Sequence, residues 1–415
     1  MTVIDRPTAR RHTLPAMLFA NAISVAGTKI SAMAVPWFVL TTTGSATKTG
    51  LVVAFELAPM VLAKALGGPI IDRVGARKVS IVADIASAFA VLLIPVLHGL
   101  GLLGFPLLLA IVAVTGVARG PGDTSKNTLT PDIADATGTS LERVAGLVST
   151  TERIAMIASP ALAGIVIGTI GAPSALVLDA ASFAVCAAGT AIWAPRVTRQ
   201  ATEDEPYLRQ LALGWQFLAR EPLMRAMVGM LSVTNLIDTA YSAVLLPIWI
   251  HDDGHTPAEL GFITSAFAVT AAIAAALAAV YGERLPRRAL YLAGFVLAGV
   301  PRFVVMALGA PIWLVIGIGV LGGFGAGFIN PILNAIFVER IPRDLLGRVG
   351  SLAESVSWAG MPLGGGIAGL AITAFGLVPA LVAAGGLYLV ATVLPGLLPQ
   401  WREMDAHHDK PAQSP

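Results

Sequence analysis

An all-α integral membrane protein, with twelve transmembrane helices in two pseudo-symmetric six-helix bundles, is the fold class this sequence predicts, and three observations predict it. Of 415 residues 56% are apolar and only 13% charged, with a mean hydropathy of +0.78, which leaves too little polar surface to cover a water-soluble globule of this length. Twelve stretches are each long and apolar enough to cross a bilayer. Segments on either side of the middle of the chain also repeat one another.

A spanning helix takes about 20 residues, because the hydrocarbon layer is ~30 Å thick and each helical residue rises ~1.5 Å. The stretches that qualify run from 15 to 40, 47 to 70, 78 to 98, 105 to 128, 145 to 169 and 174 to 195 in the first half (spans 1 to 6). In the second half they run from 224 to 250, 257 to 281, 288 to 308, 311 to 338, 347 to 373 and 377 to 398 (spans 7 to 12). Residues 1–14 are a polar tail carrying Arg6, Arg10 and Arg11. No small-residue cleavage site follows it, so span 1 reads as a retained helix and not a signal peptide. Residues 196–223 are the longest and most charged internal segment and read as a linker between bundles 15–195 and 224–398, with 399–415 as the second tail. Within the linker Tyr207, Leu208, Leu211, Trp215 and Leu218 recur at helical spacing, which predicts an amphipathic helix on the membrane surface.

Charge orients the chain, since short loops rich in Lys and Arg stay cytoplasmic. Of 27 basic residues, Lys48 alone falls on the odd-numbered loops, and Lys29, Lys64, Arg119, Arg153 and Arg302 fall within spans. The others, among them Arg73, Arg77, Lys78, Arg284, Arg287, Arg288, Arg340, Arg343 and Arg348, lie on the even-numbered loops and tails. The expectation is a multi-pass protein of the cell membrane, both termini cytoplasmic. A net charge of +2 spread along the chain argues against nucleic acid as a partner. The single cysteine, Cys186, allows no internal disulfide.

The repeat is specific. Leu141, Arg143, Val144, Leu147, Met156 and Ala163-Gly164 match Leu346, Arg348, Val349, Leu352, Met361 and Ala368-Gly369 at a constant offset of 205, pairing span 5 with span 11. Asp72-Arg73 and Arg77 likewise match Glu283-Arg284 and Arg288, pairing the loop after span 2 with the loop after span 8. Duplicated halves are a signature of transporters.

The loop after span 2 reads Gly67-Gly68-Pro69-Ile70-Ile71-Asp72-Arg73-Val74-Gly75-Ala76-Arg77-Lys78. Gly68 permits close helix packing, Asp72 can accept from a neighbouring helix N-terminus, and Arg73 and Arg77 can pair with acids at the rim. This loop resembles the signature of the major facilitator superfamily, and the resemblance covers essentially the whole chain. It implies a cytoplasmic gate that latches the outward-facing state, carried here by Gly68, Asp72, Arg73, Gly75 and Arg77. Leu178-Asp179-Ala180-Ala181-Ser182-Phe183, Asn330-Pro331 and Gly347-Arg348-Val349 are similar to the twelve-helix drug and metabolite exporters related to macrolide and enterobactin efflux proteins. Ser159-Pro160-Ala161-Leu162-Ala163-Gly164 resembles the antiporter motif, with Ser and Ala where Gly is usual, and Gly27-Thr28-Lys29 has a cation where many relatives have an acid.

An ionised group at mid-membrane costs ~3 kcal/mol on insertion scales, so such residues are functional candidates. Lys29 in span 1, Glu56 in span 2 and Asp238 in span 7 lie near mid-depth. The resemblance implies that spans 1, 4, 7 and 10 line a central cavity, which would bring Lys29 and Asp238 towards one space. Glu56 and Asp238 are candidate proton carriers, with Lys29 a counter-ion or an anchor for an anionic group. The competing reading is a permanent Lys29–Glu56 ion pair joining spans 1 and 2. Asp84, Arg119, Asp123, Glu152, Arg153 and Glu354 sit nearer the cytoplasmic ends, as gate residues or as solvated helix ends, with Glu152 and Glu354 placed deep enough to favour a gate or cavity role. Asp179 and Arg302 read as structural pairing. Asn21, Ser24, Thr28, Asn235, Asn330, Asn334 and Trp358 are candidate substrate contacts, whereas Trp249 and Trp401 read as interface anchors.

The function expected is a secondary active exporter of an amphiphilic small organic molecule, such as a drug, siderophore or secondary metabolite, working by proton antiport with alternating access and acting as a monomer. Multidrug resistance is the phenotype that goes with it. An uptake symporter and a non-transporting scaffold or sensor are the alternatives. There is no HExxH, GxSxG or Walker loop and no His cluster in a span, so neither an enzyme nor a cofactor is expected.

Overall fold

The computed structural model describes residues 12–196, 207–281, 286–342 and 345–404, and of 207–213, 347 and 348 the backbone alone. Glu283, Arg284, Arg343 and most of both tails lie outside the described residues, as does the predicted packing of Tyr207, Leu208 and Leu211. Among those described, twelve helices are long and apolar enough to cross a membrane. They are α1 (Thr13–Thr43), α2 (Ala46–Leu66), α3 (Ala76–Gly99), α4 (Phe105–Thr128), α5 (Leu141–Ile170) and α6 (Ala172–Trp193). Then come α7 (Pro222–Asp252), α8 (Pro257–Tyr281), α9 (Arg287–Ala307), α10 (Ile312–Arg340), α11 (Val349–Phe375) and α12 (Leu377–Gly396). Every regular element among the described residues is helical, as a chain in hydrocarbon must be when it has to satisfy its own backbone groups. Phe19, Phe89, Leu162, Leu370 and Phe375 are among many large apolar side chains left exposed, a liability in water and a requirement in lipid.

The chain divides into two compact units, Met1–Thr202 with Gly254–Gly261, and Glu203–Asp253 with Phe262–Pro415. In the first, α2 packs on α4, α3 on α4 and α6, and α1 on α5 and α6. Small residues set these approaches. A Cβ on Gly116 would stand 2.1 Å from the Glu56 carbonyl oxygen, and one on Gly27 would stand 2.3 Å from a carboxylate oxygen of Asp179. Glycine is therefore what brings α4 onto α2 and α1 onto α6.

In the second unit α9 packs on α10 and α12, and α7 on α11. Three of its spans are irregular. α7 carries a π-helical turn at Tyr241–Leu245. α10 and α11 each consist of two helical segments, Ile312–Ala326 with Ile329–Arg340 and Leu346–Trp358 with Met361–Phe375. Gly364 lets α11 lie directly on α7, since a Cβ there would meet the Leu236 carbonyl at 2.2 Å.

Two expectations change. Trp249 and Trp401 are buried, Trp401 completely and against Tyr291 at 5.8 Å between ring centroids, so they pack within protein and do not anchor in the interface. The linker helix forms at Tyr207–Arg220. Its Leu218 is buried with Met224, Val228, Ile341 and Val349, so that residue packs against protein within the second unit, while Trp215 is exposed.

Candidate functional site

Charge in the first unit is organised along α4. Arg119, Asp123 and Lys126 follow one another at i, i+4 and i+7, one face of a helix. Because Gly116 and Gly120 let α4 approach α2, the Arg119 guanidinium reaches Glu56 and donates to its Oε1 at 2.9 Å, the two side chains 10% and 11% exposed. This corrects the Lys29–Glu56 pair: the glycines bring α4, and not α1, onto Glu56. It also removes Arg119 from the solvated helix ends, whereas Asp123 is exposed. Lys29 is partly buried, and Arg119 and Asp123 are the charged groups acting on it.

Two turns along α4, Lys126 donates to Asp84 Oδ1 on α3 at 2.8 Å and to Ser24 Oγ on α1 at 3.0 Å. Asp84 Oδ2 is buried without a hydrogen-bond partner. Beside this pair lies a cavity of about 30 Å3 lined by Asn21, Lys126, Thr130, Glu152, Cys186 and Thr190, among others, room for roughly two waters. Across it Asn21 donates to Glu152 Oε1 at 2.9 Å. Asn21, Ser24 and Glu152 are thus brought together around Lys126, which the sequence places with the loop after span 4. Its spacing from Arg119 was the signal that could have found it.

Asp179, on α6, is fully buried and accepts from Ser31 of α1 and, at 3.1 Å, from Ser182 of its own helix. Among the described residues no Lys or Arg pairs with it.

In the second unit Asp238 of α7 pairs with Arg302 of α9. The guanidinium carbon lies 4.2 Å from the centroid of the Tyr241 ring, 5.0 Å from Phe303 and 5.4 Å from Tyr388, distances at which rings attract a cation. Gly299 makes room for Tyr388, whose ring a Cβ there would meet at 2.0 Å. Asp238 is 41% exposed. Tyr241 is also the first residue of the π turn, a feature often found at functional sites. Asn235, one turn before Asp238, donates to the Ser357 carbonyl of α11 at 3.1 Å. Asn330, Asn334 and Glu354 are exposed, and Thr28 and Trp358 partly buried.

At the signature loop, Gly68–Val74 forms a short helix ending at Gly75, whose φ of 93° suits glycine. Asp72 and Arg73 are exposed. Arg77 was expected to pair with an acid. Instead it donates to the carbonyls of Ala191 and Ala194 at 2.5 and 3.1 Å, because the C-terminus of α6 presents unpaired carbonyls that a cation satisfies.

The family model described as Major Facilitator Superfamily matches residues 17–243 and 230–414. The multidrug efflux pump Tap of Mycolicibacterium fortuitum is 29% identical over 409 residues, 95% of this chain and 98% of that protein. Macrolide efflux protein A of Streptococcus pyogenes is 22% identical over 354 residues, 83% of this chain and 85% of that one. Among solved structures the nucleoside transporter NupG superposes with a TM-score of 0.76 over 94% of this chain and 98% of its own, at 13% identity, a likeness of fold alone.

Proposed function

The chain belongs to the major facilitator superfamily and is a membrane-embedded transporter of small molecules, and from that premise we propose that it exports amphiphilic organic compounds of the drug type by proton antiport. The observation that carries this reading is the match, from one end of the chain to the other, to proteins named as multidrug efflux pumps. Ionisable residues held inside spanning helices support the coupling, since such groups persist in lipid where they face a cavity or a partner. We assign proton and substrate handling to Lys29, Glu56, Asp238, Glu354 and Glu152, and gating to Gly68, Asp72, Arg73, Gly75 and Arg77. Both termini lie in the cytoplasm, the protein works as a monomer in the cell membrane, and the substrate is reached by turns from each face.

A susceptibility panel tests the reading: cells with and without the gene, exposed to macrolides, tetracyclines and ethidium, with and without a protonophore. The expected result is resistance to several compounds that the protonophore abolishes. Equal susceptibility across the panel, or greater sensitivity in cells that carry the gene, would overturn export.

A further inference from the structure

We propose that Asp179 is a proton-binding carboxyl of the first bundle, taking up and releasing one proton per cycle between α6 and α1. The proposal rests on the antiport reading above and deepens it. Three features of the site carry it: complete burial, a hydrogen-bond shell that among the described residues is made only of hydroxyls, and one acid more than the cations beside it.

Asp179 has no exposed surface. A buried carboxylate is costly unless a cation or a full set of donors offsets it. Its two donors are the Ser31 and Ser182 hydroxyls. A hydroxyl can donate to a carboxylate or accept from a carboxylic acid, so this shell serves both protonation states without rearranging the backbone. An arginine shell would favour one state alone.

The groups around it fix the count. From α2 Glu56 acts on Asp179 and from α4 Arg119 does, but that guanidinium is already bonded to Glu56. From α1 the facing groups are Ser31 and the vacant side of Gly27. Asp84 of α3 is committed to Lys126, and Glu152 of α5 is held by Asn21. Glu56 and Asp179 are thus two acids against one cation, Arg119, and the trio is neutral only when one proton is bound. Glu56 has the cation and Asp179 has the hydroxyls, which places the proton on Asp179. Uptake converts its carboxylate and H⁺ to the acid, with no other bond made or broken. Since Ser31 belongs to α1, whose face also carries Ser24, Thr28 and Asn21, the exchange is felt by the helix proposed to meet substrate.

The test is infrared spectroscopy of the full-length protein in phosphatidylethanolamine and phosphatidylglycerol liposomes, titrated across pH. The wild type is expected to show a protonated-carboxyl C=O band that grows as pH falls, to keep it in Glu56→Gln and to lose it in Asp179→Asn. A band that persists in Asp179→Asn, that disappears in Glu56→Gln instead, or that is constant at every pH would overturn the assignment. Should Asp179→Asn fail to fold, Ser31→Ala decides, because it leaves the carboxyl and removes a donor: the band's midpoint must move, and an unmoved midpoint counts against the proposal. Ethidium transport driven by an imposed pH gradient in the same liposomes separates the two readings. A wild type indifferent to the gradient sinks antiport, whereas a responsive wild type matched by Asp179→Asn sinks only the role of Asp179.

Discussion

The two units hold buried charge by different means. In the first, α4 delivers two cations to two acids from α2 and α3, and none of those four side chains is more than 13% exposed. In the second, Arg302 is held by three aromatic rings as well as by its acid, and that acid is 41% exposed. The difference lies in what happens when one partner changes. A cation lost from the first unit leaves a carboxylate sealed in protein, whereas a change at Asp238 leaves the guanidinium on its rings. The first unit seals its ion pairs within protein, and the second leaves its acid partly exposed beside a π turn.

The largest effect should come from Lys126→Met, which strands Asp84 with Oδ2 already unpartnered. Loss of one member of a buried pair costs about 3–5 kcal/mol, read as thermal unfolding in detergent. The double change Asp84→Leu with Lys126→Met should recover most of it, since a well-packed apolar pair is close to neutral. If the double variant is as unstable as the single, the pair is not the cause.

Arg302→Lys tests the second arrangement. A lysine keeps the charge beside Asp238 but has no plane to lay on Tyr241 and Tyr388, so a loss of about 0.5–2 kcal/mol is expected. Thermal stability equal to wild type would show that the rings contribute nothing and that the two units are alike. The smallest effect belongs to Arg287 and Glu339, an ion pair at 2.7 Å with side chains 17% and 33% exposed. Glu339→Gln should shift unfolding by less than about 1 kcal/mol, and a loss as large as that of Lys126→Met would break the contrast between sealed and exposed pairs.

The candidate site was legible in part. Glu56 and Asp238 stand out because a lone acid in an apolar run is visible without any neighbour. Lys126 does not, because it lies near the end of its span and reads with the adjoining loop, and Asp179 reads as structural because span 6 is peripheral in the family that the sequence resembles. Trp401 reads as an interface anchor from its position near a helix end, and its burial against Tyr291 depends on a contact more than a hundred residues away in the chain.

The sequence by itself determined the number of spanning helices, their limits to within a few residues and the family, because a helix in lipid satisfies its backbone internally and its apolar length is a local property. Which charges meet was decided only by tertiary structure. Glu56 and Arg119 are 63 residues apart, and what joins them is the absence of a side chain at Gly116, a contact between two helix backbones that no local pattern of apolar and polar residues records.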